Sequence, residues 1–416
     1  MPTPDPATAA RHDIVIVGGG LVGASLALAL ERSGLDVAMV EATPAARLPE
    51  VFDQRNLSLA EASVNALDAL GVLPALRAPS GEIRRIHASR SGDFGRVLLR
   101  AEDYGREAFG RVVVARDLGD ALEARLQALP NLQRHRPARF LGLGETDDEW
   151  RRIRIADGHA GERTLSTRLL VAADGVDSAV RAALGIGAQR HDYGQRLFVA
   201  RLRGERAPDG TAYERFGDHG PTALLPRGDR HFGLVHAVAE READEVASLD
   251  DRAFLARVQR AFGWRAGRFL EVGPRSMYPA QRVVADALHA PRAVLVGNAA
   301  QGVHPVGAQG FNLGLRDALT LAEMLEAEGI DAVSGDPGSG PGQSLLERYA
   351  RRRREDRERT LAFSDGLARF TANRELAALR AIGWFAADRS PSLQARLVGG
   401  AMGYRGDVPA LCRARA

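Results

Sequence analysis

The sequence predicts an α/β fold: a Rossmann-like domain with a parallel sheet, interrupted by a β-rich antiparallel domain and followed by a helical C-terminal region. Three observations lead to this prediction. Residues 13–41 are patterned as strand, glycine-rich turn, helix and second strand. Short alternating runs, broken by Pro, Gly and Asp, fill the stretch from Gln195 to Val238. Helical patterning dominates from Leu345 onward.

The remaining elements follow from local patterns. Apolar runs predict buried strands at Arg111–Val114, Arg168–Ala173 and Ala293–Val296, and a helix is expected to begin at about Phe311. Residues 82–100 alternate like the antiparallel stretch, whereas Gly, Pro and Ser at 334–344 predict a flexible linker. The expected division is 11–81, 101–190 and 276–333 for the Rossmann-like domain, 82–100 and 191–275 for the antiparallel domain, and 345–416 for the helical region.

Composition excludes several classes of protein. The 416 residues are 45% hydrophobic and 26% charged, as in an ordinary soluble globular protein. A net charge of only +3 gives no indication of nucleic-acid binding. The chain has no lysine, which rules out a Schiff-base lysine and a P-loop lysine. Cys412 is the only cysteine, so an intrachain disulfide and a cysteine-based metal site are impossible, and a cytoplasmic location is expected.

The first motif predicts a dinucleotide site. Gly18, Gly20 and Gly23 form G-x-G-x-x-G between a strand and a helix, where the glycines allow the turn, the approach of a pyrophosphate and close helix packing. Glu41 ends the next strand, where a carboxylate can bind an adenosine ribose. The motif predicts an ADP-containing cofactor, and by itself it does not distinguish NAD from FAD.

The second motif is "LLVAADGVDSAVR". It places Asp174 and Gly175 at the end of an apolar strand, and Ser178 and Arg181 at the start of a helix. One interpretation is a second contact to the cofactor. The other is an ordinary strand–turn–helix connection with Ser178 as the capping residue.

The third motif, "VLVGNAAQGVHPVGAQGFNLGLRD", is a strand, a turn and a helix start without formal charge before Arg316 if His304 is neutral. Glycines at 307, 310 and 314 leave the start of this helix open to a flat ligand. Reduced flavin carries negative charge at its pyrimidine end, which a helix N-terminus stabilises. The three motifs together therefore favour FAD.

Four segments resemble the single-component flavin-dependent aromatic hydroxylases, and most of all the ubiquinone-biosynthesis members that act on 2-polyprenyl-6-methoxyphenol. They are "FDQRNLSL" (52–59), "RVVVARDLGDAL" (111–122), "AYERFGDHGPTALLP" (212–226) and "LVGNAAQGVHPVGAQGFNLGLRDALTLAE" (295–323). The resemblance implies non-covalent FAD, NAD(P)H and O2 as co-substrates, and hydroxylation of the ring of a polyprenylated phenol.

The resemblance also implies roles for individual residues. The implied FAD ligands, beside Glu41 and the first glycines, are Arg55, Arg116, Asp174, Asn298, Pro305, Gln309, Gly310, Asn312 and Gly314. The expected substrate roof is Tyr213, Phe216, Leu225 and Pro226. His304 is the candidate catalytic side chain, with a loop histidine bonded to the backbone as the alternative. One departure is Gly307-Ala308-Gln309, where the family usually has Ala-Gly-Gln.

Three other functions stay open at this point: hydroxylation of a small aromatic acid, reduction of isoprenoid double bonds, and a non-enzymatic flavoprotein scaffold. The first requires an arginine aimed at a carboxylate, and Arg227 lies only at a predicted turn. NAD(P)H oxidation with and without a prenylated phenol distinguishes these functions.

The C-terminal region suggests two further expectations. "LLERYARRRREDRERT" predicts a solvated helix with surface ion pairs. The apolar face of the next helix, formed by Leu376, Leu379, Ile382, Gly383 and Ala386, either packs on the FAD domain or associates peripherally with a membrane or a biosynthetic complex.

Overall fold

The computed structural model describes residues 10–44, 47, 53–304, 306–334, 344–372 and 377–414. Pro305, Leu376, the side chain of Leu379 and nearly all of the predicted linker 334–344 lie outside the described residues. No helix in the described part of the chain is long and apolar enough to cross a membrane.

The strands, in chain order, are β1 Ala10–Val17, β2 Val37–Val40, β3 Asn56–Ala60, β4 Gly81–Glu82, β5 Arg85–Arg90, β6 Val97–Arg100, β7 Gly110–Val114, β8 Leu132–His135, β9 Ala138–Thr146, β10 Arg151–Asp157, β11 Gly161–Ala172, β12 Ala188–Gly204, β13 Thr211–Gly217, β14 Gly220–Pro226, β15 Phe232–Ala239, β16 Phe269–Val272, β17 Ser276–Ala285, β18 His289–Ala290, β19 Ala293–Leu295 and β20 Gln301–Gly302. The helices are α1 Leu21–Ala29, α2 Glu61–Ala69, α3 Ala115–Gln127, α4 Ala179–Ala183, α5 Ala243–Ser248, α6 Asp251–Phe262, α7 Gln309–Glu328, α8 Leu345–Ala372, α9 Ala377–Arg389 and α10 Pro391–Ala401.

The first sheet is the predicted Rossmann-like one. Its strand order is β18-β19-β11-β1-β2-β8, and β1, β2, β8, β11 and β19 are parallel. The apolar half of β1, residues 14–17, and all of β2 are buried, as expected for a sheet that helices cover on both faces. Strands β9 and β10 extend β11 as an antiparallel hairpin. The predicted fold class is confirmed.

The second sheet is the predicted antiparallel one, with the order β20-β17-β12-β15-β14-β13-β5-β6 and with β16 beside β12. Residues 82–100 contribute β5 and β6, and the pairing of β13 with β5 is parallel. One face of this sheet packs on α6 through a cluster that contains Phe198, Leu224 and Phe254. The opposite face lies against Val306, Trp384 and neighbouring apolar residues. A small third sheet, β3-β7-β4, contains the predicted strand at 111–114.

The expectation of a solvated helix at 345–360 is wrong for its central residues. Arg353 and Asp356 of α8 are fully buried. The Arg353 guanidinium contacts the carboxylates of Asp317 at 2.8 Å and Asp356 at 2.7 Å, and Arg316 contacts Asp356 at 2.6 Å. These four side chains form a buried ion-pair network that joins α8 to α7. The outer residues of α8 make the expected surface pairs, such as Arg359 with Glu355.

Helix α9 uses a different face for packing than the sequence suggests. Trp384 is 8% exposed and stacks on Phe216, with 6.2 Å between ring centroids. Ile382 and Phe385 are 66% and 50% exposed, and Ala386 is exposed as well. The expectation that Ile382 and Ala386 pack on the FAD domain is therefore wrong. These residues form an apolar surface stripe instead.

Candidate active site

The three motifs meet at one edge of the parallel sheet. Strands β1, β2, β11 and β19 run in the same direction, so their carboxyl ends lie side by side. Backbone hydrogen bonds continue the register beyond the strands: Gly18 N–H donates to the Val40 carbonyl at 2.9 Å, and Val296 N–H donates to the Ala172 carbonyl at 3.0 Å. This is the edge at which open α/β sheets bind their ligands.

The glycines of the first motif serve two purposes. Gly18 has φ +107°, and a Cβ there would lie 2.4 Å from the Ala173 carbonyl oxygen. A Cβ on Gly23 would lie 2.0 Å from the Gly18 carbonyl oxygen. Both are therefore required by the fold. Gly20 has an ordinary φ of −71°, and it precedes α1, which has neither a capping side chain nor an acidic residue in its first turn. The first N–H groups of α1 can therefore bind a pyrophosphate.

Glu41 is held in place beside this turn. Its Oε2 accepts the Gly19 N–H at 2.7 Å and its Oε1 accepts the Thr43 N–H at 2.7 Å, and the residue is 9% exposed. A carboxylate oxygen has two lone pairs, so each oxygen can accept a further bond from a ribose hydroxyl. The carboxylate is therefore oriented before any ligand arrives.

Replacing Glu41 by Ala is expected to weaken FAD binding about tenfold or more, because hydrogen bonds to a charged acceptor contribute roughly 1.5–3 kcal/mol. Fluorescence titration of the apoprotein with FAD measures the change. Glu41→Gln is the matched control. It keeps one carbonyl oxygen as an acceptor, so its loss should be smaller. An unchanged dissociation constant for Glu41→Ala contradicts the ribose contact.

The geometry of the second motif agrees with an ordinary strand–turn–helix connection in which Ser178 caps the helix. Asp174 accepts the Ser178 hydroxyl at 2.5 Å and the Val180 N–H at 3.1 Å, while Ser178 Oγ accepts the Arg181 N–H at 2.9 Å. The Arg181 guanidinium donates to the Ala299 carbonyl at 2.8 Å. Asp174 thus fixes the turn, and Arg181 joins the second motif to the third.

The third motif is held by close backbone contacts. Asn312 accepts the Ala60 N–H at 2.9 Å and donates to the Ser58 carbonyl at 2.8 Å, which fixes the start of α7 on β3. A Cβ on Gly314 would lie 2.9 Å from Gly297 Cα and 2.9 Å from a Val22 methyl group. Gly314 therefore lets α7 approach both the turn after β19 and α1.

The start of α7 itself is left open. The helix begins at Gln309, two residues before the predicted Phe311, with no capping side chain and no acidic residue in its first turn. A Cβ on Gly310 would have ordinary space, 3.5 Å from Val303. Ala308 has φ +51°, a left-handed conformation that costs a non-glycine residue roughly 1–2 kcal/mol. The departure Gly307-Ala308 thus places a methyl group where the backbone favours glycine.

The two implied arginines differ in their surroundings. Arg55 contacts the Asp53 carboxylate at 3.0 Å, and its guanidinium lies 4.5 Å from the centre of the Tyr278 ring. Burial raises the pKa of Asp53, but hydrogen bonds from Arg55 and from the Tyr278 hydroxyl lower it by more than burial raises it. The pKa of Asp53 therefore lies below its usual value. The exposed Arg116 side chain has no hydrogen-bond or ion-pair partner within the described ranges, so it is available to an anion.

Asn298 and Gln309 are the remaining implied ligands in the described part of the chain. Asn298 lies in the turn Gly297–Ala299, and it is exposed. Gln309 is 4% exposed; its amide N–H donates to the Gly307 carbonyl at 3.1 Å, and its Oε1 has no partner among the described residues. A buried acceptor without a partner is costly, and a donor on a bound ligand would satisfy it.

His304 has a backbone partner. Its Nδ1 accepts the Val306 N–H at 3.1 Å, which leaves the ring proton on Nε2, and the ring packs edge-on to Tyr193 at 4.4 Å. Burial lowers the pKa of His304 to about 4, so the ring is neutral at physiological pH. The geometry favours a histidine that shapes the loop.

Replacing His304 by Asn is expected to leave NAD(P)H oxidation coupled to hydroxylation, because the Asn oxygen can also accept the Val306 N–H. Peroxide released per NAD(P)H consumed measures the coupling. The variant should also lose less stability in acid. The folded-state pKa lies below the unfolded value near 6.5, so His304 withdraws stability as pH falls from about 6.5 to 4. A large rise in peroxide contradicts a purely structural role.

The four predicted roof residues lie on opposite faces of the second sheet. Tyr213 packs with Phe262 of α6, with 5.5 Å between ring centroids, and Pro226 points to the same side as Leu224. Phe216 and Leu225 belong to the cluster that includes Val306 of the third motif. Of the four, only Phe216 and Leu225 are therefore on the side of the loop between β20 and α7, which is called the flavin loop below.

Sequence reasoning did not identify Asp53, Tyr278 or Trp384 as supporting residues. Asp53 lies inside a motif that was identified, but its partner Tyr278 is 225 positions away. Trp384 is on α9, where the sequence pattern indicated an apolar face formed by other residues. No local signal indicates either contact.

The residues present fit FAD: a glycine turn open to a pyrophosphate, a carboxylate aimed at a ribose, and a second bare helix start. Comparison with known proteins agrees. The FAD binding domain family matches residues 11–364. Ubiquinone hydroxylase UbiL of Rhodospirillum rubrum is 35% identical over 94% of this chain and 89% of its own, and 3-demethoxyubiquinol 3-hydroxylase of Escherichia coli is 29% identical over 94% and 98%. The crystal structure of p-nitrophenol 4-monooxygenase PnpA from Pseudomonas putida DLL-E4 has a TM-score of 0.76 at 18% identity, covering 96% of this chain and 99% of that one.

The fold and site define a flavoprotein of the aromatic hydroxylase class. The chain belongs to the FAD-binding-domain family, within the group of ubiquinone-biosynthesis hydroxylases, and is an FAD-dependent aromatic hydroxylase. NAD(P)H and O2 are the usual co-substrates of this class.

Proposed function

We propose that this protein uses FAD, NAD(P)H and O2 to hydroxylate the ring of a polyprenylated phenol in ubiquinone biosynthesis, with 2-polyprenyl-6-methoxyphenol as its substrate. The observation that carries the proposal is an apolar wall on the flavin side of the second sheet. Ile86, Ala88, Leu225 and Val235 lie on this wall and are partly exposed, and the first three cluster with Val306. A phenol with a lipophilic tail suits such a wall.

The chain's own residues position the cofactor and exclude water. The first turn of α1 would hold the pyrophosphate, Glu41 the ribose, and the open start of α7 the pyrimidine end of the ring. When bound, FAD supplies the redox chemistry that couples oxidation of NAD(P)H by O2 to hydroxylation of the phenol. Phe216, stacked with Trp384, closes the site on the roof side, and a dry site limits wasteful peroxide release.

Two alternatives fit less well. A small aromatic acid needs a cationic partner, but the Arg227 guanidinium is held by Asp229 at 2.8 Å and by Asn56 at 3.0 Å. An isoprenoid-chain reductase would consume NAD(P)H without O2 and would leave the phenol ring unchanged.

The test is NAD(P)H oxidation by the FAD-loaded protein with a prenylated phenol, an aromatic acid or no substrate, with product identified by mass spectrometry. We expect oxidation and one added oxygen atom only with the prenylated phenol. Reduction of the chain, or hydroxylation of the acid alone, contradicts the proposal.

We also propose peripheral association with a membrane surface through the stripe on α9. Ile382 and Phe385 are exposed, and the Arg389 guanidinium lies 4.1 Å from the centre of the Phe385 ring. Exposed Phe94 is in the turn beside Gly95, which approaches the side chain of Trp384. Apolar side chains next to arginine are typical of interfacial helices.

Sedimentation with anionic liposomes tests this association. Ile382→Ser combined with Phe385→Ser should reduce pelleting several-fold, and Leu141→Ser, another exposed apolar position, is the control. Deleting 361–416 is unsuitable, because it removes the buried Trp384 and Met402. Equal and negligible pelleting of wild type and double variant contradicts the proposal and indicates delivery by a partner.

A further inference from the structure

Glu214 is a carboxylic acid on the apolar wall. It lies between Ala212 and Phe216 on β13, and alternation along the strand puts all three on the same face. Ala212 and Phe216 belong to the same buried apolar cluster as Val306 of the flavin loop. Glu214 therefore points to the flavin side of the second sheet.

The neighbours of Glu214 leave its carboxyl group space but no partner. It is opposite Ala88 on β5 and Ala223 on β14, and a methyl group on each side cannot fill the room that a larger side chain would occupy. Within the described ranges, Glu214 has no hydrogen-bond or ion-pair partner. The residue is partly accessible although protein surrounds it, so a ligand can reach its carboxyl group.

Burial changes the ionisation of the Glu214 carboxyl group. It raises the pKa of Glu214 to about 7, and no neighbouring charge contributes. Among the described residues, six charged or titratable groups or pairs on the elements that border the wall have partners of their own or are neutral: Arg90 with Asp218, Arg380 with Asp93, Asp365 with Tyr193 and Arg369, Asp388 with the Leu98 N–H, Asp53 with Arg55, and neutral His304.

We propose that Glu214 is a catalytic residue that binds the phenolic hydroxyl of the substrate and removes its proton as the ring is hydroxylated. The inference rests on the proposed function and identifies the polar contact of that same site. The phenol O–H bond breaks, the proton moves to a carboxylate oxygen of Glu214, and the electron pair stays on the phenol oxygen. That pair increases the electron density of the ring, and no oxidation or reduction accompanies this step.

The ionisation of Glu214 matches this task. A general base is most effective when its pKa is near the working pH. Below pH 7 the group is protonated and cannot accept the phenol proton, so hydroxylation is expected to rise with pH and to level off above about 7. The same carboxylate repels an aromatic acid, so Glu214 also contributes to selection of a neutral phenol.

The test compares wild type with Glu214→Gln, which has the same shape but is not a base, in the FAD-loaded full chain from pH 6 to 9. With a prenylated phenol, kcat for hydroxylation should fall about 10²- to 10⁴-fold, and the rise of rate with pH should disappear. The FAD dissociation constant should not change. Glu271→Gln, on the edge strand β16 and exposed, is the matched control and should behave as wild type.

A second substrate separates catalysis from structural damage. A fluorinated prenylphenol that is already ionised at the assay pH needs no base and is repelled by the wild-type carboxylate, so Glu214→Gln should hydroxylate it at least as fast as wild type. Equal losses with both phenols, or a variant that keeps the full rate and pH dependence, would overturn the proposal.

Binding distinguishes failure of this inference from failure of the proposed function. If wild type binds the prenylated phenol without hydroxylating it, the proposed function is wrong, and the role of Glu214 is judged from the phenol dissociation constant alone. Above pH 7 that constant should be several-fold higher, up to about tenfold, in Glu214→Gln, because a neutral amide oxygen replaces the charged acceptor of the hydrogen bond. Equal constants in both proteins overturn the inference, and a wild type that binds no phenol overturns both.

Discussion

Replacing Gly20 by Val is expected to weaken FAD binding at least about a hundredfold, roughly 2.8 kcal/mol, without unfolding the protein. The backbone at Gly20 has φ −71°, which any residue can adopt, so a side chain there causes no backbone strain. The added side chain occupies the approach to the pyrophosphate. Gly18 and Gly23 are unsuitable for this test because a Cβ at either position would collide with backbone atoms.

Equilibrium dialysis measures the affinity of Gly20→Val, and circular dichroism of the apoprotein confirms the fold. Gly366→Val is the matched control: the position lies in α8 with open space around it, so FAD affinity should be unchanged. FAD binding within a few fold of wild type would show that the glycine turn does not contact the pyrophosphate.

Replacing Asp356 by Asn is expected to destabilise the protein by roughly 3–5 kcal/mol, because removing one partner leaves buried charges uncompensated. The side chains of Arg316 and Arg353 are 1% and 0% exposed, so water cannot replace the lost carboxylate. Urea unfolding measures the loss. Glu355→Gln removes an exposed pair with Arg359 and should cost less than about 1 kcal/mol.

The pH dependence of this effect has a defined sign. Burial raises the pKa of Asp356, but the guanidinium groups of Arg316 and Arg353 lower it by more than burial raises it. The pKa of Asp356 is therefore below the usual value near 3.8. The contribution of Asp356 to stability is therefore present above about pH 4 and is lost as pH falls through the folded-state pKa. Asp356→Asn should be less sensitive to acid. A loss of about 1 kcal/mol or less at pH 7 would show that the network contributes no more than a surface pair.

This network also supports the flavin loop. The Asp317 carboxylate that contacts Arg353 accepts the Gly297 N–H at 3.2 Å and the Gln301 amide at 2.5 Å. Helix α8 therefore helps to fix the turn after β19, although it belongs to a different part of the chain.

The sequence predicted the parallel strands, the glycine turn and the carboxylate after β2, because each of these depends on residues close together in the chain. A period-two apolar pattern and a G-x-G-x-x-G turn are local requirements of the backbone. Strand periodicity could also have separated Tyr213 from Phe216, since residues three apart on a strand face opposite sides.

The sequence by itself determined that the chain binds a dinucleotide through a Rossmann-like sheet and belongs with flavin hydroxylases, since the chemistry of that site is written in short motifs. Only the tertiary structure decided which charges are buried and which roof residues meet the flavin loop. Arg353 reads as one more residue in a charged surface helix until Asp317, 36 positions away, is placed against it. Glu214 similarly reads as a polar strand residue until the two alanines that flank it in the sheet are known. Burial and ionisation depend on neighbours that are distant in sequence, so no local pattern can specify them.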